Sequence, residues 1–95
     1  MPWQEDAEAI LAALLRMVPE TYRNLAEGAA RAEAEGVAAE RGGVDVTVDD
    51  VVRGWIATTP DDQRDALVAV LDELGLDPEA YAGELGAVRD EETEI

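Results

Sequence analysis

The paired acids at Asp49-Asp50, Asp61-Asp62 and Asp72-Glu73 have the spacing of a carboxylate dyad or a calcium site. Carboxylates held together push one pKa upward and supply acid–base chemistry, and several around one loop bind calcium. Each pair also begins or lines a predicted helix, where the helix dipole and solvation account for it. No D-x-D-x-D-G loop accompanies them, and Gly42-Gly43 lacks the lysine and spacing of a phosphate-binding loop. The chain contains no His, Cys, Ser or Lys. That removes the common nucleophiles, the usual general base and the Schiff-base lysine, leaving carboxylates, Tyr22, Tyr81, threonines and arginines. No catalytic residue, metal site or cofactor is therefore expected, and the chain reads as a non-enzyme.

The stretch "VVRGWIATTPDD", 51–62, holds the densest mixture of side chains able to recognise a partner. Much of it is helix punctuation: an apolar helical face, a stop, the Thr59 cap, Pro60 and two dipole-matched aspartates. Trp55 shares a face with Val48, Val51, Val52 and Ile56 and reads as core. Capping requires neither Arg53 nor Gly54. Arg53 and Arg64 point away from their apolar faces, where charge balance amid so much acid is the plain explanation. Arg23, just after a Pro-Glu turn, is placed to hold a carboxylate or a carbonyl across the fold. Trp3 extends the apolar stripe of the first helix. The candidate partner surface is thus Trp3, Arg23, Arg53, Gly54 and the turn Thr58, Thr59, Pro60.

The elements that must position these residues are helices. Ala7, Ile10, Leu11, Leu14, Leu15 and Val18 share one helical face, with Glu5, Asp6 and Glu8 at its positive end and Arg16 at its negative end. Pro19 closes that helix and opens a second, Glu20 to Arg41, which is expected to be the longest. Tyr22, Leu25, Ala29, Ala32, Gly36 and Ala39 form a narrow stripe along it that would let another helix approach closely, and Arg23, Glu27, Arg31 and Glu35 form another at spacings of four. Gly42 and Gly43 supply a left-handed stop. Val44, Val46 and Val48 alternate as an extended strip, and Thr47 with Asp50 forms a capping box for a short third helix. A fourth helix starts at Thr59-Pro60, buries Ala66, Leu67, Val70, Leu71 and Leu74, and ends at Gly75. Asp77-Pro78 opens a weak fifth, with Tyr81, Leu85 and Val88 on one face.

The expected core is Ile10, Leu11, Leu14, Leu15, Leu25, Val48, Val51, Val52, Trp55, Ile56, Leu67, Val70 and Leu71. The fold class is all-α, a single small domain of four to five helices over 1–89, followed by a disordered acidic tail over 90–95.

Ninety-five residues with 23 acids and seven basic residues carry a formal charge of −16, which repels nucleic acid and anionic lipid alike. All seven basic residues are arginine, a bias that fits a GC-rich genome or a high-salt cytoplasm. No apolar run approaches the ~20 residues of a membrane span, and the acidic N-terminal decapeptide is unlike a secretory leader, so a cytoplasmic location is expected. A core this small gains from association, and a homodimer or a larger protein partner is expected.

The order Trp3, Ala7, Glu8, Leu15, Val18, Pro19, Glu20, Arg23, Ala38, Gly42, Val46, Thr47 and Val51 resembles the small C-terminal domain of the B subunit of light-independent protochlorophyllide reductase. The segment from Val51 to Asp77 is similar to related uncharacterised bacterial proteins in which R-G-Y-I-x-A-T-P recurs, Arg53 and Gly54 carrying the likeness. The resemblance spans Trp3 to Tyr81. It implies a small helical module found both appended to a nitrogenase-like reductase and alone, and it does not imply reductase activity, since no cysteine here could hold an iron–sulfur cluster. The long helix, "VDVT" loop and following helix also resemble the second half of a histone fold, which would serve pairing. Three functions stay open: an interaction or regulatory module of a reductase or tetrapyrrole-related complex, a self-associating structural protein without ligand, and a porphyrin-type cofactor binder.

Overall fold

The first helix, α1 (Glu5–Leu15), buries Ala7, Leu11, Leu14 and Leu15 at spacings of four, three and one, so that one side is apolar and the other carries Glu5, Asp6 and Glu8. In the computed structural model of the chain, residues 1–81, 83 and 85 are described. Their helices are α1, α2 (Glu20–Glu40), α3 (Val48–Thr58) and α4 (Arg64–Glu73), with two short 3-10 turns, Asp61–Gln63 and Pro78–Tyr81. The fold is all-α, and α2, at 21 residues, is the longest element among those described. The chain divides into two compact units, Met1–Thr58 and a second beginning at Thr59.

In the first unit α1 tightens after Leu15, where Met17 and Val18 donate to the carbonyls three residues back, and Pro19 then leads into α2. The inward side of α2 is made of Ala30, Ala34 and Ala38. Its end is a Schellman closure: Gly42, at φ +74°, donates to the Ala39 carbonyl and Gly43 to that of Ala38. The returning chain brings Val46 beside Trp3 in an isolated parallel bridge, the Gln4 amide donating to Val46 O and the Val46 amide to Pro2 O. Thr47 and Asp50 then start α3 as a capping box, the Thr47 amide donating to Asp50 Oδ2 at 3.0 Å and the Asp50 amide to Thr47 Oγ1 at 3.4 Å.

Helix α3 packs on both α1 and α2. It meets α2 at Gly54, where a Cβ atom would lie 2.9 Å from the Ala34 nitrogen and 3.2 Å from its Cα. Two backbones this close leave room for nothing larger than alanine opposite glycine. Val51, Val52 and Ile56 of α3 are buried, as are Leu11 and Leu14 of α1 and Val46.

Within the second unit, Thr59-Pro60 does not lead straight into an α-helix. Gln63 donates to the Pro60 carbonyl, winding the first turn at three residues, and α4 follows from Arg64 with Leu67 and Leu71 buried. Gly75, at φ +79°, and Leu76 repeat the Schellman closure onto Asp72 and Leu71. Asp77 Oδ1 accepts from the Glu79 amide, and the expected fifth helix opens as the 3-10 turn Pro78–Tyr81, with Tyr81 buried and Gly83 and Leu85 helical beyond it. Val88 and the tail over 90–95 lie outside the described residues.

Two burial expectations fail outright. Ala66 of α4 is exposed, and Leu25 is 76% exposed, the whole stripe to which it belongs facing away from α3. Ile10, Val48, Trp55 and Val70 are half-buried, while Ala7, the three inward alanines, Val46 and Asp50 complete the interior.

Candidate functional site

The outward face of α2 is built by residues three and four apart, Tyr22, Leu25, Ala29, Ala32, Gly36 and Ala39, and every one of them is exposed. Tyr22 and Leu25 are the large members, 61% and 76% exposed. At 3.6 residues per turn, Glu33 and Glu40 border this face on one side and Asn24 and Gly28 on the other, all exposed. Neither glutamate is in an ion pair or a hydrogen bond among the described residues. The arginines of this region lie toward α1 and α3 and are engaged there.

Those engagements form the opposite flank. Arg23 donates from Nε to the Leu15 carbonyl at 3.0 Å and from Nη2 to the Val18 carbonyl at 2.9 Å, satisfying the carbonyl end of α1. Arg31 pairs with Glu8 at 2.8 Å and with Glu27 at 3.0 Å and lies over the Trp3 ring, 4.7 Å from its centroid. The Glu8 hydrogen bond raises the Arg31 pKa above its ordinary value, with partial burial opposing and Glu27 assisting. Trp3 Nε1 donates to Glu35 at 3.0 Å. Between α1 and α2 these side chains border an open cleft of about 280 Å³ lined by Glu8, Leu11, Ala12, Leu15, Arg16, Arg23, Glu27 and Arg31.

The sequence-derived surface residues are dispersed. Trp3 and Arg23 stand at this flank and are structurally employed. Arg53 pairs with Asp49 at 2.7 Å across one helical turn, both ends partly in water. Gly54, expected on a partner surface, is buried in the α2–α3 contact, where only its missing side chain allows the approach. Thr58 Oγ1 donates to the Trp55 carbonyl. Thr59 and Pro60 belong to the second unit, the Thr59 carbonyl accepting from Arg64 Nε at 3.3 Å.

Sequence reasoning missed one buried charge. Asp50 has no solvent exposure, and Arg41 grips it through both carboxylate oxygens, Nε to Oδ1 at 2.8 Å and Nη2 to Oδ2 at 2.6 Å. The Arg41 hydrogen bonds hold the Asp50 pKa below its ordinary value, and the Thr47 donors assist against the cost of burial. With both oxygens engaged and no solvent exposure, this carboxylate fastens the end of α2 to the start of α3. The only signal for it was an arginine directly before a double glycine, closing back on the capping residue. Among the described residues no buried side-chain polar atom lacks a partner, no group of three His, Cys, Asp or Glu could hold a metal, and no helix is long and apolar enough to cross a membrane.

Neither the comparison with curated proteins nor that with solved structures returns a match. Residues 1–85 match the family described as "Protein of unknown function (DUF2621)", and the chain therefore belongs to that family.

Proposed function

We propose that this chain is a non-catalytic protein-interaction module whose outward α2 face receives a basic amphipathic helix of a larger protein. The observation that carries this reading is the uncovered stripe from Tyr22 to Ala39 bordered by the unpaired Glu33 and Glu40. An exposed leucine and tyrosine on one helical face offer apolar area and an anchor, and the following Ala29, Ala32, Gly36 and Ala39 let a second helix lie close. The acidic border selects cations on the partner's flanks, and a chain of net charge −16 favours such a partner over a second copy of itself. The resemblance to a domain carried by a nitrogenase-like reductase makes such an enzyme the first partner to examine.

A designed helical peptide with leucines at i, i+3, i+4 and i+7 and lysines on both flanks tests this, read by calorimetry against a peptide with glutamates on the flanks. The basic peptide is expected to bind with an affinity that falls as salt rises, the acidic one not at all, and Leu25→Gln is expected to weaken binding about tenfold, the equivalent of roughly 1.4 kcal/mol. Equal binding of both peptides, or indifference to Leu25→Gln, overturns the reading. The small residues of the stripe also favour self-association once salt screens the acids. A dimer seen by sedimentation in molar salt that dissociates on Leu25→Gln would put that second reading ahead.

A further inference from the structure

Three of the seven arginines, Arg16, Arg23 and Arg31, line a cleft between α1 and α2 together with Glu8 and Glu27. The cleft thus holds a local excess of one positive charge in a chain whose net charge is −16. The three cations are not equally occupied. Arg31 is committed to Glu8, Glu27 and the Trp3 ring. Arg23 spends Nε and Nη2 on the last carbonyls around α1, which fixes its guanidinium and leaves Nη1 without a protein acceptor. Arg16, exposed immediately beyond α1, has no side-chain partner among the described residues. Beside them Leu11, Ala12 and Leu15 provide an apolar wall.

We propose that this cleft binds a carboxylate carried on a short aliphatic body, its oxygens between Arg16 and Arg23 and its aliphatic part against Leu11, Ala12 and Leu15. A volume of about 280 Å³ lies at the small end of ligand sites and suits a group of a few heavy atoms. The planar pair of carboxylate oxygens matches guanidinium donors. A single negative charge balances the local excess, whereas a phosphate dianion would face Glu8 and Glu27 with more charge than the cleft can neutralise. The site is separate from the outward face of α2 and stands or falls independently of it. Its ligand is a free branched-chain acid or the C-terminal carboxylate of a chain ending in an aliphatic residue.

Amide and arginine Nε chemical shifts of the full chain, followed while isovalerate, N-acetyl-leucine, N-acetyl-leucinamide or inorganic phosphate is added, test the site. N-acetyl-leucine is expected to give saturable shifts at Leu11, Ala12, Leu15 and the Arg16 and Arg23 side chains, the neutral amide and phosphate giving none. Isovalerate binding as tightly identifies a free acid as the ligand, and weaker isovalerate binding identifies a chain terminus. Arg16→Gln, at an exposed position, is expected to keep the spectrum of the fold and weaken binding about tenfold or more. Shifts that fail to saturate, equal response to the neutral amide or to phosphate, or unchanged binding in Arg16→Gln overturns the proposal.

Discussion

The inward face of α2 presents Ala30, Ala34 and Ala38, and the outward face presents Ala29, Ala32 and Ala39, so the two cannot be told apart by their alanines. What differs is the company each keeps. The inward alanines stand opposite Gly54 of α3, and the helices approach until a single added Cβ would touch backbone. The outward alanines share their face with Tyr22 and Leu25, side chains that would hold a helix off at the distance α3 has closed. The larger apolar residues therefore face water and the smaller ones form the core, an inversion of the usual rule imposed by close backbone contact. The charged residues divide in the same way. On the inward flank Arg23, Arg31 and Arg41 each find carbonyls or carboxylates, while Glu33 and Glu40 outside find none.

Substitutions can break this contrast, beginning with the strongest. Asp50→Ala removes the bidentate partner of Arg41 and the capping oxygen for Thr47, and is expected to cost about 2–4 kcal/mol in urea denaturation. Glu33→Gln on the outward border should cost almost nothing, and similar losses for the two would show that the Asp50 cluster holds nothing together. Next in size, Gly54→Ala forces a methyl against the Ala34 backbone and is expected to destabilise by about 1–3 kcal/mol despite the better helix propensity of alanine. Gly36→Ala, with open space around it, should instead raise stability by about 0.5–1 kcal/mol. If both shifted the melting temperature in the same direction, the close α2–α3 approach would be wrong.

Acid provides a finer test. Because the folded Asp50 pKa lies below the ordinary 3.8, the unfolded chain binds the proton more readily. The contribution of Asp50 is therefore complete above that pH and is lost as pH falls through the lower folded value. Protonation of the many other carboxylates relieves repulsion over the same range, so the measurement is the difference between the native chain and Asp50→Ala. That difference should shrink on acidification below 3.8; a constant gap would remove the ionised pair from the account. The smallest effect belongs to Leu25→Gln, expected to change stability by less than about 0.5 kcal/mol. A loss of 2 kcal/mol or more, the size expected for a buried leucine, would mean the outward face is covered after all.

Local features were readable in the residues. The apolar spacing of Ala7, Leu11, Leu14 and Leu15, the Thr47–Asp50 box and the stops at Gly42 and Gly75 each depend on neighbours within a turn or two. Thr59-Pro60 shows the limit of that reading, because the same cap signals permit a three-residue turn before the α-helix begins. The candidate surface was less legible. Gly54 stood out correctly as a residue that capping does not require, but its reason is a contact with a helix some twenty residues earlier in the chain. The position of Arg23 after its turn allows a carboxylate or a carbonyl, and the structure supplies two nearby carbonyls, while the convergence of Arg16, Arg23 and Arg31 on one cleft depends on how α1 and α2 cross and has no signature in spacing.

By itself the sequence determined an acidic, all-helical chain, the glycine stops and the Thr47–Asp50 start of its helices, and the absence of the side chains most used in catalysis, since these follow from composition and from interactions between near neighbours. Only the tertiary structure decided which alanine face of α2 is core, that Asp50 is buried beneath Arg41, and that Leu25 stands in water. Those outcomes turn on how closely two backbones can approach, a property of the pair of helices that neither helix carries alone.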